Sequence, residues 1–225
     1  MKQIQDTGYR HENSWKGRRM LTIWGRKNSI NVQKVVWCAA ELGLDFDRKD
    51  AGLQHGFPEG FEEINPNRKV PAISDEDIAG GFFLWESHAI VRYLAAKNGA
   101  LIPTDLQGRA DCERWMDWQH TTVWETLKSI FFGMVRTAPE ERDNAAIQTA
   151  IDGTAASLGI LEDHLSSREY VLGEELSVAD IPLAVSAYRW FEMEIDRPNL
   201  PNFTAYYEKL KERPAFQEHC MFPLT

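Results

Sequence analysis

The sequence predicts two domains of different class, an α/β domain followed by an all-α one, and three observations carry the prediction. The chain has 225 residues, enough for two modest domains. Short β-prone runs alternate with helical runs between Leu21 and Lys97. Beyond Asn98-Gly99 the strand-like runs stop and helical spacing continues toward the C-terminus. The expected division is a flexible extension over residues 1–20, the α/β domain over 21–98, a linker over 99–105 and the helical domain over 106–225.

The extension alternates polar and charged residues without period, up to Met20. Leu21-Thr22-Ile23-Trp24 then reads as a strand, Gly25-Arg26-Lys27-Asn28 as a turn, and Ser29 opens a helix to Gly43. Val32, Val35, Val36, Ala39 and Leu42 recur at three- and four-residue spacing, which predicts one buried helix face. Leu44 to Lys49 reads as a second strand, Pro58 to Ile64 as a short helix, Val70 to Ser74 as a third strand and Gly81 to Leu84 as a fourth. Glu86 to Lys97 is helical through Ala89, Ile90, Tyr93 and Leu94. The order β-α-β-α-β-β-α is that of a thioredoxin-like domain, a sheet covered by helices.

In the second domain, Leu106 to Met134 contains no proline and reads as one long helix, with Ala138 to Ser167, Ser177 to Glu194 and Asn202 to Lys211 following. Ser177-Val178-Ala179-Asp180 has the form of a capping box, in which the serine and the acid three residues on serve each other's backbone N–H groups.

Composition narrows the function. The 43% hydrophobic and 26% charged residues are those of a soluble globular protein. Charges interrupt every apolar run well before the roughly 18 residues that span a bilayer, so no membrane association is expected. The polar start lacks the apolar core of a secretory signal, and a cytoplasmic protein is expected. Three scattered cysteines form neither a CxxC pair nor a zinc set, so reduced thiols and no metal are expected. The net charge is -9, and the chain beyond residue 20 carries -12, which argues against nucleic acid as a partner. An anionic ligand would have to be held by local donors.

Four local features bear on such a ligand. Ser29 is either an N-cap or a hydroxyl that, with the positive end of its helix, stabilises a thiolate. Within Asn65-Pro66-Asn67-Arg68-Lys69-Val70-Pro71, a cis Val70-Pro71 bond would free the Val70 backbone to pair with a peptide ligand, whereas a trans bond leaves an edge device. Glu86 and Ser87 at a helix start are either caps or a receptor for an α-amino-acid head group, the acid for the ammonium and the helix start for the carboxylate. Arg26, Lys27, His55 and Lys69 lie on loops that would converge at one end of the sheet, as a solvated face or as a second carboxylate site.

Ser29-Ile30-Asn31-Val32-Gln33-Lys34-Val35, then Asn65-Pro66, Lys69-Val70-Pro71-Ala72 and Glu86-Ser87-His88-Ala89-Ile90 with Tyr93-Leu94, taken in this order, resemble the glutathione transferases. The likeness is greatest to serine-type bacterial members of phi-like and theta-like character, and runs from about Met20 to the C-terminus with the Ser177 to Asp180 motif included.

The resemblance implies that Ser29 hydrogen-bonds the glutathione sulfur, with Asn31 beside it. It further implies that Lys69 and His55 contact the glycine carboxylate and that Val70 pairs with the cysteinyl unit ahead of a cis Pro71. Glu86 and Ser87 take the γ-glutamyl head. Glutathione is then the co-substrate, a small apolar electrophile the second substrate, detoxification the role and a homodimer the expected assembly. Dehalogenation, peroxide reduction, disulfide reduction and non-catalytic binding of glutathione or a protein are the alternatives on the same fold.

Cys38 lies on the buried stripe of the first helix and reads as structural, and Tyr9 belongs to the extension. Along the long helix, Met116, Val123, Leu127, Ile130 and Met134 form a core stripe. Trp115, Trp118, Thr122 and Glu125 form a neighbouring one that is a candidate border of a substrate cleft.

Overall fold

The computed structural model describes residues 20–78 and 81–225. The extension, Tyr9 included, therefore lies outside the described residues apart from Met20. A four-stranded mixed sheet has the order β2-β1-β3-β4, from strands β1 (Leu21–Trp24), β2 (Phe46–Lys49), β3 (Ala72–Asp75) and β4 (Phe82–Trp85). β1 runs parallel to β2, with Leu21 opposite Phe46, and antiparallel to β3, with Ile23 opposite Ile73. β4 closes the sheet antiparallel to β3. The parallel pair needs a crossover, which α1 (Ile30–Glu41) supplies. After α2 (Phe61–Ile64), β3 and β4 form the hairpin that leads to α3 (Ser87–Asn98). This is the thioredoxin-like arrangement that the order of elements predicts. β2 and β4 begin one to two residues later than the periodicity indicates, β3 begins two later at Ala72, and α2 keeps only the last turn of its predicted span.

α1 and α3 both end as their sequences predict. At α1, Gly43 adopts φ 65°, Leu44 N–H donates to Ala39 C=O and Gly43 N–H to Ala40 C=O, the Schellman pattern that satisfies the last carbonyls. Gly99 does the same for α3 at φ 64°, with Ala100 N–H donating to Ala95 C=O. Gly25 has a different reason: at φ 151° it lies so close to α1 that a Cβ there would stand 2.3 Å from a Val32 methyl. The first turn thus brings the chain tightly onto the start of α1.

The single buried face predicted for α1 is a correction. Beyond Val32, Val35, Val36 and Ala39, the helix also buries Gln33, Lys34, Trp37 and Cys38. One side packs on β1 and α3, and the other is covered by α7 (Asp180–Glu192) and α9 (Pro214–Cys220). Arg213 clamps this second side, donating from two nitrogens to the Glu41 carboxylate at 2.8 and 2.6 Å. A period in apolar residues shows only the face turned to the sheet, because the other face meets its neighbours partly through polar groups.

The helical part begins with α4 (Leu106–Trp118) and α5 (Trp124–Phe131). The one long helix predicted here instead contains a π turn at Gln119–Val123 and ends in another at Phe132–Arg136. Each widens the spiral by one residue, and π turns recur at functional sites. The first places Gln119 inside the protein, where its Nε2 donates to Ser186 Oγ at 2.8 Å. A second predicted helix is split: a short 3-10 turn at Pro139–Glu141 precedes α6 (Asn144–Leu165), which is capped by Asp143 accepting from Ala146 N–H. α8 (Pro201–Lys211) completes the set.

Half of the capping box before α7 forms: Asp180 accepts from Ser177 N–H, but the Ser177 hydroxyl accepts from Ala179 N–H and Asp180 N–H goes to Ser177 C=O, and α7 itself starts at Asp180 rather than Ser177. Asp180 is fully buried and its two oxygens accept from Val171 N–H, Ser177 N–H, the Ser177 hydroxyl and the Tyr206 hydroxyl. Val178 N–H donates to Leu101 C=O at 2.7 Å and so ties this corner to the segment after α3. Among the described residues no helix is long and apolar enough to cross a membrane.

Candidate active site

A cleft of about 550 Å³ opens between the start of α1 and the end of α5. Its lining on the sheet side includes Arg26, Ser29, Asn31, Lys69 and Val70. The helical side contributes Trp124, Phe131, Phe132, Arg136 and Arg189.

Ser29 is the N-cap of α1, with extended backbone at φ -78° and ψ 123°. An N-cap serine ordinarily turns its hydroxyl onto the N–H of the second or third helical residue. Here the side chain makes no capping bond, and the hydroxyl has no hydrogen-bond partner among the described residues. The residue is nonetheless buried. A free hydroxyl and the positive end of a 12-residue helix therefore face the same cleft.

The Val70-Pro71 bond is cis, and neither the N–H nor the C=O of Val70 has a partner among the described residues. Both backbone groups stand at the cleft edge, where an extended ligand can take them as a strand would. The turn before them is held by Asn65, whose Nδ2 donates to Lys69 C=O at 2.9 Å and whose Oδ1 accepts from Asn67 N–H.

Glu86 and Ser87 lie just outside the lining, at the start of α3. Glu86 has φ 72°, a strained conformation for a residue with a side chain and one that clusters at functional sites. Ser87 Oγ donates to Asn31 Oδ1 at 3.5 Å, so the α3 start adjoins the cleft through Asn31. His55 is not brought in. It sits on a short turn at Leu53–His55, its ring 3.0 Å from the Gln54 amide and 3.9 Å from Asp50. Lys27 also leaves the predicted polar set, with its ammonium over the Phe222 ring.

Beneath Asn31 lies a buried polar group that periodicity alone does not reveal. Lys34 Nζ contacts Asn31 Oδ1 at 3.2 Å, His88 Nε2 at 3.0 Å and Gln119 Oε1 at 3.5 Å. Burial, helped by the nearby Arg189 charge and opposed by Glu86, brings the Lys34 pKa down to about 7. Asn31, which also lines the cleft, is held through its Oδ1, and its Nδ2 makes no hydrogen bond among the described residues.

Burial first, and then Lys34, Arg92 and His120, hold the His88 pKa down to about 2. The unfolded chain, with an ordinary histidine, takes up a proton below about pH 6.5 that the folded chain refuses. Stability present above that pH is therefore lost as pH falls from about 6.5 toward 2. Comparing urea unfolding of wild type and His88→Gln from pH 7 to 4 is expected to show a shallower decline in the variant. Equal slopes would contradict this account of His88.

The second stripe on the long helix needs correction. Trp115 and Trp118 turn away from the cleft into a separate hollow with Arg114, Ile160 and His164, and Thr122 and Glu125 are absent from the cleft lining. The π turn at Gln119–Val123 shifts the register, so that Trp124, Phe131 and Phe132 reach the cleft instead. The Phe131-Phe132 doublet carries a readable signal, since adjacent helical residues cannot share one face and Phe132 stays exposed. Cys38, Cys112 and Cys220 are free and buried, and burial raises the pKa of each thiol, which disfavours the nucleophilic thiolate.

The N-terminal-domain model of the glutathione S-transferases matches residues 28–97, and the C-terminal-domain model matches residues 116–214. The chain belongs to the glutathione transferase family. It is 38% identical to glutathione S-transferase GstB of Escherichia coli over 92% of this chain and all of that one. It also resembles the theta class glutathione S-transferase of Xanthomonas axonopodis pv. citri, solved with glutathione bound, at a TM-score of 0.85 and 40% identity, over 92% of this chain and all of that one. A glutathione transferase of Burkholderia graminis, solved with two glutathione molecules per subunit, matches at a TM-score of 0.77 and 26% identity, over 93% of this chain and 91% of that one. Among the described residues of this transferase, no group of three or more histidines, cysteines or acids is placed to hold a metal.

Proposed function

We propose that this transferase binds glutathione in the cleft with its sulfur at the Ser29 hydroxyl, and that the thiolate attacks an apolar electrophile held against Trp124, Phe131 and Phe132. The observation that carries the reading is the uncommitted Ser29 hydroxyl at the N-terminus of α1. The hydroxyl donates to the sulfur and the helix end adds positive potential, and both lower the thiol pKa. Each unit by which the pKa falls toward neutrality raises the thiolate fraction up to about tenfold. The thiol proton passes to solvent, the sulfur electron pair forms the new carbon–sulfur bond, and a leaving group departs with its own pair. Binding energy from the tripeptide serves to align the two reactants.

Asn31 Nδ2 supplies a second donor near the sulfur. Lys69 takes the glycine carboxylate, the Val70 backbone pairs with the cysteinyl unit, and Glu86 with Ser87 holds the γ-glutamyl head. His55, turned toward Asp50 and Gln54, is left out of the contacts. Lys69→Ala is expected to weaken glutathione binding by about tenfold in calorimetric titration, the effect of losing one charge-assisted contact. Unchanged affinity would contradict the placement of the tripeptide.

We place the enzyme in the cytoplasm, where glutathione is kept reduced, and its role in the removal of reactive electrophiles. Three unpaired cysteines fit that compartment. We assign it as a homodimer: Phe83 and Trp85 are exposed on the edge strand β4, as is Leu106 at the start of α4, apolar surface that a second copy would cover. Small-angle scattering should give about twice the mass of 25.8 kDa, and a monomer mass would reject the assignment.

A further inference from the structure

The cleft carries more positive charge than the tripeptide requires. Arg26, Arg68, Lys69, Arg136 and Arg189 line it, and among the described residues no acidic side chain does. Three of these cations are engaged: Lys69 with the glycine carboxylate in the proposed pose, Arg68 with Glu62 at 3.2 Å, and Arg189 with Val185 C=O and Gln33 Oε1. Arg26 and Arg136 remain without an acidic partner among the described residues. Arg26 comes from the loop after β1, and its Nε is buried with no hydrogen-bond partner. Its guanidinium runs alongside Gly52, where a Cβ would stand 3.5 Å from Nη1. Arg136 comes from the π turn after α5 and places its guanidinium 5.8 Å from the centre of the Phe131 ring.

These two cations are near enough that Arg136 depresses the Arg26 pKa, in addition to the effect of burial. Like charges across a partly shielded cleft repel unless an anion lies between them. The surfaces beside them, Leu53, Phe57, Trp124, Phe131 and Phe132, are apolar.

We propose that the preferred electrophile is anionic: a small molecule whose carboxylate, or equivalent acid group, lies between Arg26 and Arg136 while its reactive carbon faces the sulfur at Ser29. This rests on the reading of the cleft as the meeting place of glutathione and electrophile. The pair of guanidiniums offsets the repulsion between a glutathione thiolate and an anionic substrate, which slows their reaction in free solution.

Iodoacetate and iodoacetamide share size and leaving group but differ in charge. With either, the thiolate pair forms the carbon–sulfur bond and iodide leaves with the carbon–iodine pair. Dividing kcat/KM by the uncatalysed rate constant gives an acceleration for each reagent. The acceleration is expected to be about tenfold larger for iodoacetate, the scale of one charge-assisted contact. Arg136→Gln, at an exposed position, and Arg26→Gln should each bring that ratio down toward one. Added salt should lower the ratio in the wild type. Equal accelerations in the wild type, or a ratio unmoved in both variants, would overturn the inference while leaving the glutathione reading standing. A rise in glutathione KM in Arg26→Gln with the ratio unmoved would assign Arg26 to the tripeptide and overturn it too. No acceleration of either reagent would remove the glutathione reading and this inference with it.

Discussion

Ser29→Ala is expected to lower kcat by roughly 10- to 100-fold across electrophiles, because one hydrogen bond to a charged sulfur contributes about 1.5–3 kcal/mol. The loss should fall on kcat far more than on the KM for glutathione, since the carboxylates and the cysteinyl backbone are held by Lys69, Val70 and the start of α3. A change in pH profile should accompany it, the rise of rate with pH moving upward as the thiol recovers its ordinary acidity. Folding is not the confounding factor that it would be at an ordinary cap, because the Ser29 side chain makes no capping hydrogen bond in α1. Ser29→Thr keeps the hydroxyl and should restore a large part of the rate. Stopped-flow or steady-state conjugation with a panel of electrophiles measures all of this. An alanine variant with wild-type kcat and pH profile would remove Ser29 from the chemistry.

The largest loss of stability is expected at Asp180→Ala. The carboxylate is fully buried, and its burial raises its pKa even though four donors oppose the shift. Truncation leaves Val171 N–H and Ser177 N–H inside the protein without acceptors and cuts the tie to Tyr206, at the corner where the loop before α7 meets α8. Removing one member of such a buried network costs about 3–5 kcal/mol, a large part of the stability of an ordinary domain. Asp180→Asn is not a mild substitute, since each carboxylate oxygen accepts from a different backbone N–H and an amide offers only one acceptor. Ser177→Ala keeps the backbone donor and loses only the hydroxyl contacts to Asp180 and Ala179 N–H, so about 1–2 kcal/mol is expected. Denaturant unfolding of the three variants should rank them in that order. An Asp180→Ala protein as stable as the wild type would contradict the network.

Local signals carried much of this molecule. Alternation and turn residues placed the four strands, Gly43 and Gly99 marked two helix ends, and Ser177 with Asp180 announced a cap of which the fold keeps the acid's half. The sheet side of the cleft was legible for the same reason, because Ser29, Asn31, Lys69 and Val70 belong to short segments next to strand and helix ends. The helical side was not. Its residues depend on two π turns inside an otherwise regular pattern, and one added residue per turn rotates every later side chain, bringing Phe131, Phe132 and Arg136 to the cleft, while Trp115 and Trp118, ahead of the first turn, face another hollow. The polar face of α1 escaped notice because Gln33 and Lys34 resemble solvent-exposed residues until α7 and α9 cover them. An arginine within a largely apolar stretch of helix, Arg189 among Ile181 to Trp190, was the available sign of that contact.

If Ser29 and the start of α1 ionise bound glutathione, the ultraviolet absorbance of the thiolate in the enzyme–glutathione complex will report it. A titration midpoint about two units below that of a free thiol is expected in the wild type, with a return toward the free value in Ser29→Ala. A bound thiol that titrates at its free value in the wild type, or at the same lowered value with and without the hydroxyl, would contradict it.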